Sequence, residues 1–216
     1  MKSILIFASG TADVGGSGFQ TLVESTTTGI LDAKIVGVVS NHKNGGVYKK
    51  AQLLDIPFIY FSGPFAAENY RTIIQNSACD FVALSGWLKL MRGINPATTI
   101  NIHPGSLPRF GGTGMYGIHV HEAVLDAYKR GEITNSAVTM HFVTEEYDKG
   151  PIFFRYPVPI RPDDTADTLK ERVGEIEHSW QAWITNLVIR GDISWDGKDP
   201  STLCVPAWYS FYKIKS

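Results

Sequence analysis

The sequence predicts an α/β protein built on an open, mostly parallel sheet of Rossmann-like type, with helices on both faces. The first sign is the continuous apolar run of residues 4–8, which is typical of a strand covered on both faces. The second is the alternation of short β-rich runs with helical patterns along the first half, which implies right-handed crossovers between parallel strands. The third is a pair of β-rich runs, residues 136–143 and 151–157, whose separation by a polar turn favours an antiparallel hairpin in the C-terminal half.

Each predicted element follows from a local pattern along the chain. Strands are predicted at residues 4–8, 34–40, 57–61, 80–84 and 98–103, with helices after residue 17 and at residues 46–54, 65–76 and 119–128. Ser17 and Gln20 match a capping box at the start of the first helix. Beyond the hairpin, apolar residues recur every three or four positions up to Val188, which predicts a long helix opened by Asp164 or Thr165. The tail from residue 191 is turn-rich, with room for one edge strand.

Composition indicates a globular protein and gives no sign of a nucleic-acid partner. The 216 residues fit one fairly large domain. The 20 Lys and Arg balance 21 Asp and Glu, so the formal net charge of -1 gives no electrostatic case for a nucleic-acid partner. Cys79 and Cys204 stand in no metal-binding spacing. No apolar stretch is long enough for a membrane span or a signal peptide, so we expect a cytoplasmic protein.

The segment of residues 99–117 has the strongest functional signal. Its strand ends in Asn101 and His103, which are two residues apart and therefore point to the same face. A loop rich in glycine and proline follows. An amide beside an imidazole at a strand end can polarise a carbonyl group. The alternative is a strand that ends in a turn, with a histidine whose hydrogen bonds are satisfied by its neighbours.

The glycine-rich loop after the first strand is a candidate phosphate site. It runs from residue 9 into a helix start at Gly16, Ser17 and Gly18. Free backbone N–H groups and the positive end of the helix dipole can hold an anion there. The sequence has neither a dinucleotide fingerprint nor a P-loop, so an ordinary turn between strand and helix is the alternative.

Two carboxylates are further candidates. Asp148 lies in the hairpin turn and can reach His103 only if that turn folds back over the sheet edge; otherwise it is an ordinary turn residue. A carboxylate beside an imidazole orients it and favours its protonated form. Glu177 lies on or beside the apolar stripe of the long helix, where a carboxylate is costly without a partner. Either a salt bridge within the core or a cationic group of a substrate would explain it.

Three histidines raise the question of a metal. His119, His121 and His103 could supply zinc ligands. However, His119 and His121 are two residues apart at a helix start, so their side chains diverge, and the sequence contains no HExxH motif. We therefore expect no metal.

The motifs also resemble those of a known family. The segments Asn101-Ile102-His103-Pro104, Leu107-Pro108 and residues 138–151 are similar to those of the folate-dependent formyl transferases and hydrolases, and most of all to the glycinamide ribonucleotide formyltransferases. The likeness covers nearly the whole chain, and it implies the formyltransferase fold. It also implies that Asn101 and His103 contact the formyl oxygen, with Asp148 supporting His103.

The resemblance assigns the remaining binding residues. It implies that Gly16, Ser17 and Gly18 hold the ribonucleotide phosphate and that Glu177 meets the glycinamide amine. It places the folate along Leu88, Lys89, Leu90, Met91, Asn101, Val143 and Tyr147. The chain departs from the usual pattern in several places. Its first loop is longer, Gly18 stands where asparagine is common, the loop before His119 is longer, and Ala67 replaces an arginine that often binds phosphate.

The resemblance predicts one formyltransferase domain over residues 1–216, with a nucleotide-binding half at 1–97 and a folate and catalytic half at 98–216. It implies transfer of the formyl group of 10-formyltetrahydrofolate to glycinamide ribonucleotide in purine biosynthesis. The formyl folate acts as a co-substrate, and no metal, nucleic acid or membrane takes part. We expect a monomer or a homodimer. The alternatives are a 10-formyltetrahydrofolate hydrolase and, more remotely, a non-catalytic nucleotide-binding module.

Overall fold

The computed structural model describes residues 1–211, and its centre is one seven-stranded sheet. The strands are β1 (Lys2–Phe7), β2 (Ala33–Ser40), β3 (Phe58–Tyr60), β4 (Phe81–Ser85), β5 (Thr99–His103), β6 (Asn135–Phe142) and β7 (Ile152–Pro159). Their order across the sheet is β3-β2-β1-β4-β5-β6-β7. β1 to β5 pair in parallel, whereas β6 is antiparallel to both β5 and β7. The fold class predicted from the sequence, including its antiparallel hairpin, is therefore confirmed.

Within residues 1–211, five α-helices cover the two faces of the sheet. They are α1 (Ser17–Thr27), α2 (Gly46–Leu53), α3 (Ala67–Ser77), α4 (Ile118–Lys129) and α5 (Ala166–Ile189). Side chains of β1 alternate between the two faces. Ile4 and Ile6 enter the larger hydrophobic cluster, to which α1, α2, α4 and α5 contribute, whereas Leu5 and Phe7 enter the smaller cluster beside α3. All four of these side chains have no exposed surface, which explains the unbroken apolar run.

The long helix α5 begins as the sequence predicts. Thr165 is its N-cap, and a capping box joins the side chains of Thr165 and Thr168 to the backbone. Arg172 donates two hydrogen bonds of 2.6 Å to Asp164 just before the helix, and this ion pair holds the pKa of Asp164 far below its usual range. α5 packs against both α1 and α4, which places one of its faces over the carboxyl ends of the central strands.

Two sequence predictions of local structure are wrong. Ser17 is not an N-cap but the first residue of α1, because Gly16 adopts a left-handed conformation with φ 75° and forms the cap itself. The side chain of Gln20 instead donates to Glu24 and accepts from Lys50. In the tail, the expected edge strand is reduced, within residues 1–211, to an isolated bridge between Ser194 and Cys204.

The sheet order creates a crevice beside β1. Strands on one side of β1 lead outward through β2, and strands on the other side lead outward through β4, so the order reverses at the β1/β4 boundary. Ligands of open α/β sheets bind at this kind of reversal, outside the carboxyl ends of the strands. Among the described helices, none is both long and apolar enough to cross a membrane.

Candidate active site

A cavity of about 610 Å³ opens at the carboxyl ends of β1, β4 and β5, beneath one face of α5. It brings together most of the site residues that the sequence analysis singles out. Those that line it are Gly16, Ser17, Gly18, Leu88, Lys89, Asn101, His103, Tyr147, Asp148 and Glu177.

One end of the cavity is the start of α1. The first hydrogen bond from this turn is donated by Gln20 N–H to the Gly16 carbonyl at 3.0 Å, so the N–H groups of the preceding helix residues have no partner within the helix. They point toward the cavity end, as an anion site requires. Lys50 lies alongside and donates from Nζ to Gln20 Oε1 at 2.6 Å, which adds a positive charge near this turn.

Packing explains why residue 18 is a glycine. A Cβ at this position would overlap Ser85 Oγ and would lie 2.8 Å from Gln181 Oε1. Ser85 ends β4 and Gln181 lies on α5, so three elements meet at the α1 start. An asparagine here would require the side chains of Ser85 and Gln181 to move. Arg71, the nearest arginine in sequence to the missing one, does not line the cavity.

The other end of the cavity is a cluster around Asp148. Asp148 has a φ of 55°, and its turn folds back over the sheet edge, which is the condition that the sequence left open. Gly112 N–H donates to Asp148 Oδ2 at 2.9 Å, and Asn101 Nδ2 lies 3.5 Å from Asp148 Oδ1. His103 Nδ1 lies 3.9 Å from Asp148 Oδ2, too far for a direct hydrogen bond but within electrostatic range.

His141 completes this cluster, although no pattern in the sequence predicts a role for it. It lies on β6 directly opposite Asn101. Its Nδ1 is 2.7 Å from the carbonyl of Phe142, so Nδ1 carries hydrogen and donates. Its Nε2 lies 3.1 Å from Asn101 Nδ2 and 3.4 Å from Asp148 Oδ1. His141 is 1% exposed, so these contacts are buried beside the cavity wall.

The protonation states of the cluster are set by opposing effects. Burial lowers the pKa of His103 more than the neighbouring Asp148 raises it. Its Nε2 donates to the Phe110 carbonyl at 2.6 Å, so Nδ1 keeps its lone pair in the neutral form. Burial alone would raise the pKa of Asp148, but His141, His103 and the Gly112 N–H together keep it below its usual range. The site therefore favours a carboxylate beside a neutral His103, whereas the sequence predicts the protonated form of His103.

Glu177 faces the cavity from α5. Burial raises the pKa of this carboxyl group to about 7. Among residues 1–211, no hydrogen bond or ion pair reaches it, so the salt bridge considered from the sequence does not form. The remaining explanation from the sequence is a cationic group of a ligand.

The residues proposed for the folate divide into two groups. Leu88, Lys89 and Tyr147 line the cavity, and Leu88 N–H donates to Ser9 Oγ at 3.0 Å. Leu90 does not line it. Met91 and Val143 are buried in the smaller hydrophobic cluster, where their side chains support the wall and do not face the cavity.

The two histidines considered as metal ligands, His119 and His121, lie in different environments. His119 is exposed and hydrogen-bonded to Glu122 at 3.0 Å. His121 is 2% exposed, and burial, with the nearby charge of Lys170, lowers its pKa to about 4. Within the described part of the chain, no three His, Cys, Asp or Glu side chains are grouped as metal ligands.

The comparisons with known proteins agree on one family. A model described as formyl transferase matches residues 2–185. The chain is 34% identical over 205 residues to a chloroplastic phosphoribosylglycinamide formyltransferase of Arabidopsis thaliana, which covers 90% of this chain and 68% of that relative. It is 29% identical to the phosphoribosylglycinamide formyltransferase of Bacillus subtilis, over 83% of this chain and 91% of that one.

Solved structures agree with this comparison. Glycinamide ribonucleotide transformylase 1 of Geobacillus kaustophilus superposes with a TM-score of 0.72 at 27% identity, covering 87% of this chain and 98% of that one. A formyltetrahydrofolate deformylase of Pseudomonas syringae also has a TM-score of 0.72, covering 89% of this chain and 62% of that one. At 22% identity, this second likeness shows the shared fold alone.

Proposed function

Because this chain belongs to the formyl transferase family, we propose that it transfers the formyl group of 10-formyltetrahydrofolate to the amine of glycinamide ribonucleotide, in purine biosynthesis. One observation carries the proposal. A single cavity joins a helix start suited to phosphate with a cluster suited to polarising a carbonyl, and Glu177 lines the same cavity. The two ends therefore serve one two-substrate reaction.

The nucleotide would bind with its phosphate at the α1 start. The N–H groups of Ser17 and Gly18 offer hydrogen bonds, the helix dipole favours negative charge, and Lys50 adds a cation nearby. These features replace the arginine that the family often uses. The protonated amine of the incoming nucleotide would meet Glu177, whose carboxylate would take one proton from it and leave the neutral amine that attacks.

The transfer forms one C–N bond and breaks another. The neutral amine attacks the formyl carbon, the formyl oxygen gains negative charge, and the bond to the folate nitrogen then breaks. Asn101 would donate its amide N–H to that oxygen as charge develops, which is a preorganised form of stabilisation. His141 Nε2 lies 3.1 Å from Asn101 Nδ2 and accepts one of its two hydrogens, so the other hydrogen would turn from Asp148 Oδ1, at 3.5 Å, to the formyl oxygen.

One proton must pass from the attacking amine to the leaving nitrogen. His103 begins neutral and offers the lone pair on Nδ1, while the negative oxygen and Asp148 both favour its charged form. A water molecule held by Asp148 can reach His103 Nδ1, because the two side-chain atoms are 3.9 Å apart. His103 would thus become charged when the transition state needs it.

Placement of the two substrates supplies much of the acceleration. Holding an amine against a formyl carbon removes the entropy cost of a bimolecular encounter, an effect worth roughly 7–11 kcal/mol in well-oriented systems. We propose that residues 1–97 and 98–216 of the single domain bring the nucleotide and the folate together, with Leu88, Lys89 and Tyr147 along the folate. No metal enters the reaction, and the active unit is a monomer or homodimer in the cytoplasm.

The test compares folate release with and without the second substrate. The protein is incubated with 10-formyltetrahydrofolate, alone and with glycinamide ribonucleotide, and both tetrahydrofolate and formylated nucleotide are measured. We expect release only with the nucleotide, one formyl product per folate, and no loss of rate in EDTA. Equal release without the nucleotide would identify a hydrolase, and binding without turnover would identify a binding module. Loss of rate in EDTA would indicate a metal.

A further inference from the structure

The junction of α1, β4 and α5 contains a polar group that the proposed reaction has not used. Gln181 lies on α5 and is 2% exposed, yet its Oε1 has no hydrogen-bond partner in the described part of the chain. The same atom would lie 2.8 Å from a Cβ on Gly18, and both residues line the cavity. An unpartnered buried acceptor is costly, so its place beside a ligand cavity points to a ligand group.

The orientation of this amide follows from its surroundings. The first turn of α1 presents N–H donors and the positive end of the helix dipole. A carbonyl oxygen is favoured beside that end, whereas an NH₂ group would meet donors and positive charge. The acceptor of Gln181 therefore faces the nucleotide end of the cavity, next to the hydroxyl of Ser85.

An acceptor in this position selects a donor on the ligand. A phosphate dianion has no hydrogen to give, and the substrate amine is assigned to Glu177. Glu177 and Gln181 are four residues apart on one helix face, so their Cβ atoms are about 6 Å from each other. The ligand group between phosphate and amine is the ribose, whose hydroxyls are donors.

We propose that Gln181, with Ser85 beside it, is a specificity-determining residue that accepts a hydrogen bond from a ribose hydroxyl of the nucleotide. The inference rests on the proposed function and adds the recognition of the sugar. Gly18 is required in the same arrangement because any side chain there would displace Ser85 and Gln181.

The test combines a change in the protein with a change in the ligand, as in a double-mutant cycle. Calorimetry measures the dissociation constants of three ligands for wild type and for Gln181→Leu. The ligands are glycinamide ribonucleotide and its two analogues that each lack one ribose hydroxyl. We expect wild type to bind one analogue about tenfold more weakly, because a site built to accept from a hydroxyl rejects the ligand that lacks it. Gln181→Leu should bind the ribonucleotide about tenfold more weakly than wild type does. This variant should bind the analogue as tightly as it binds the ribonucleotide, so its discrimination is lost.

Two further variants control for folding and for general effects on α5. Gln181→Met keeps an unbranched side chain without the acceptor, and it should give the same result if Gln181→Leu fails to fold. Thr185→Val removes another unpartnered buried oxygen one turn further along α5, outside the cavity, and should keep the discrimination of wild type.

The outcomes separate the inference from the proposed function. Wild-type turnover with unchanged discrimination in both Gln181 variants would overturn the sugar contact alone. Equal losses of affinity for the ribonucleotide and for both analogues would also overturn it, because Gln181 would then only shape the pocket. Absence of any ribonucleotide binding or turnover in wild type would overturn the proposed function.

Discussion

Replacing Glu177 with glutamine should change how stability depends on pH. The pKa of Glu177 rises from 4.5 to about 7 on folding because the carboxyl group is buried. A folded-state pKa above the unfolded value means that the wild type loses stability as pH rises from about 4.5 to about 7. The glutamine side chain of the variant would be neutral throughout and would avoid this loss.

The size of the effect follows from the shift. Each pKa unit corresponds to about 1.4 kcal/mol, so the full shift would give about 3 kcal/mol. Because Glu177 is partly exposed to the cavity, screening reduces this figure, and we expect about 1–2 kcal/mol. Glu177→Gln should therefore be more stable than wild type by that amount at about pH 8 and nearly equal to it at about pH 4.

Urea denaturation across this pH range measures the difference directly, through the free energy of unfolding extrapolated to water. Glu175→Gln is the matched control, since it removes a negative charge from an exposed position on the same helix. Parallel stability curves for wild type and Glu177→Gln would refute the reasoning. The same variant should bind the nucleotide more weakly, because the cationic amine loses its carboxylate.

Three further changes test other parts of the site. Asn101→Ala should lower kcat by roughly a hundredfold with little change in either KM, since its amide acts on charge that exists only in the transition state; a rise in KM alone would contradict this. His141→Phe should lower kcat and raise the pKa of Asp148, because His141 has the largest effect among the groups that lower this pKa; an unchanged pH–rate profile would remove His141 from the account. Gly18→Ala should lower the Tm and raise the KM for nucleotide far more than for folate, and Ser85→Ala should partly restore the Tm by removing the overlapping hydroxyl; equal rises in both KM values would limit the loop to a structural role.

Much of the fold is predictable because its signals are local. The apolar run of β1 arises from burial on both faces, and the period of α5 arises from its packing on α1 and α4. The start of α1 is less predictable, because a left-handed Gly16 and a serine cap give similar sequence patterns. Choosing between them depends on how the preceding loop packs.

The site divides in the same way. Asn101 and His103 are predictable from their two-residue spacing on a strand, and Glu177 from the conflict between a carboxylate and an apolar stripe. Asp148 depends on a turn that folds back over the sheet, which spacing alone does not specify. His141 depends on the β5/β6 register, and the sequence offers no mark of which residue lies opposite Asn101.

The neutral state of His103 is also not predictable from the sequence. Its neighbour Asp148 favours the charged form, as expected, but burial is the larger effect. Burial is a property of the whole fold, because the loop that carries Phe110 closes over the ring and accepts its Nε2–H. Asp148, which by its charge alone favours protonated His103, therefore only moderates the lowered pKa of that histidine.

The most direct test of the account is whether His103 and Asp148 act as one unit. The rate of formyl transfer is measured for His103→Ala, Asp148→Asn and the double variant, with both substrates saturating and folding checked by Tm. Each single change should lower kcat by roughly a hundredfold or more. Because residues of one unit are not additive, the double variant should be little slower than the slower single variant. Losses that multiply fully in the double variant would contradict the account, because the two side chains would then act independently.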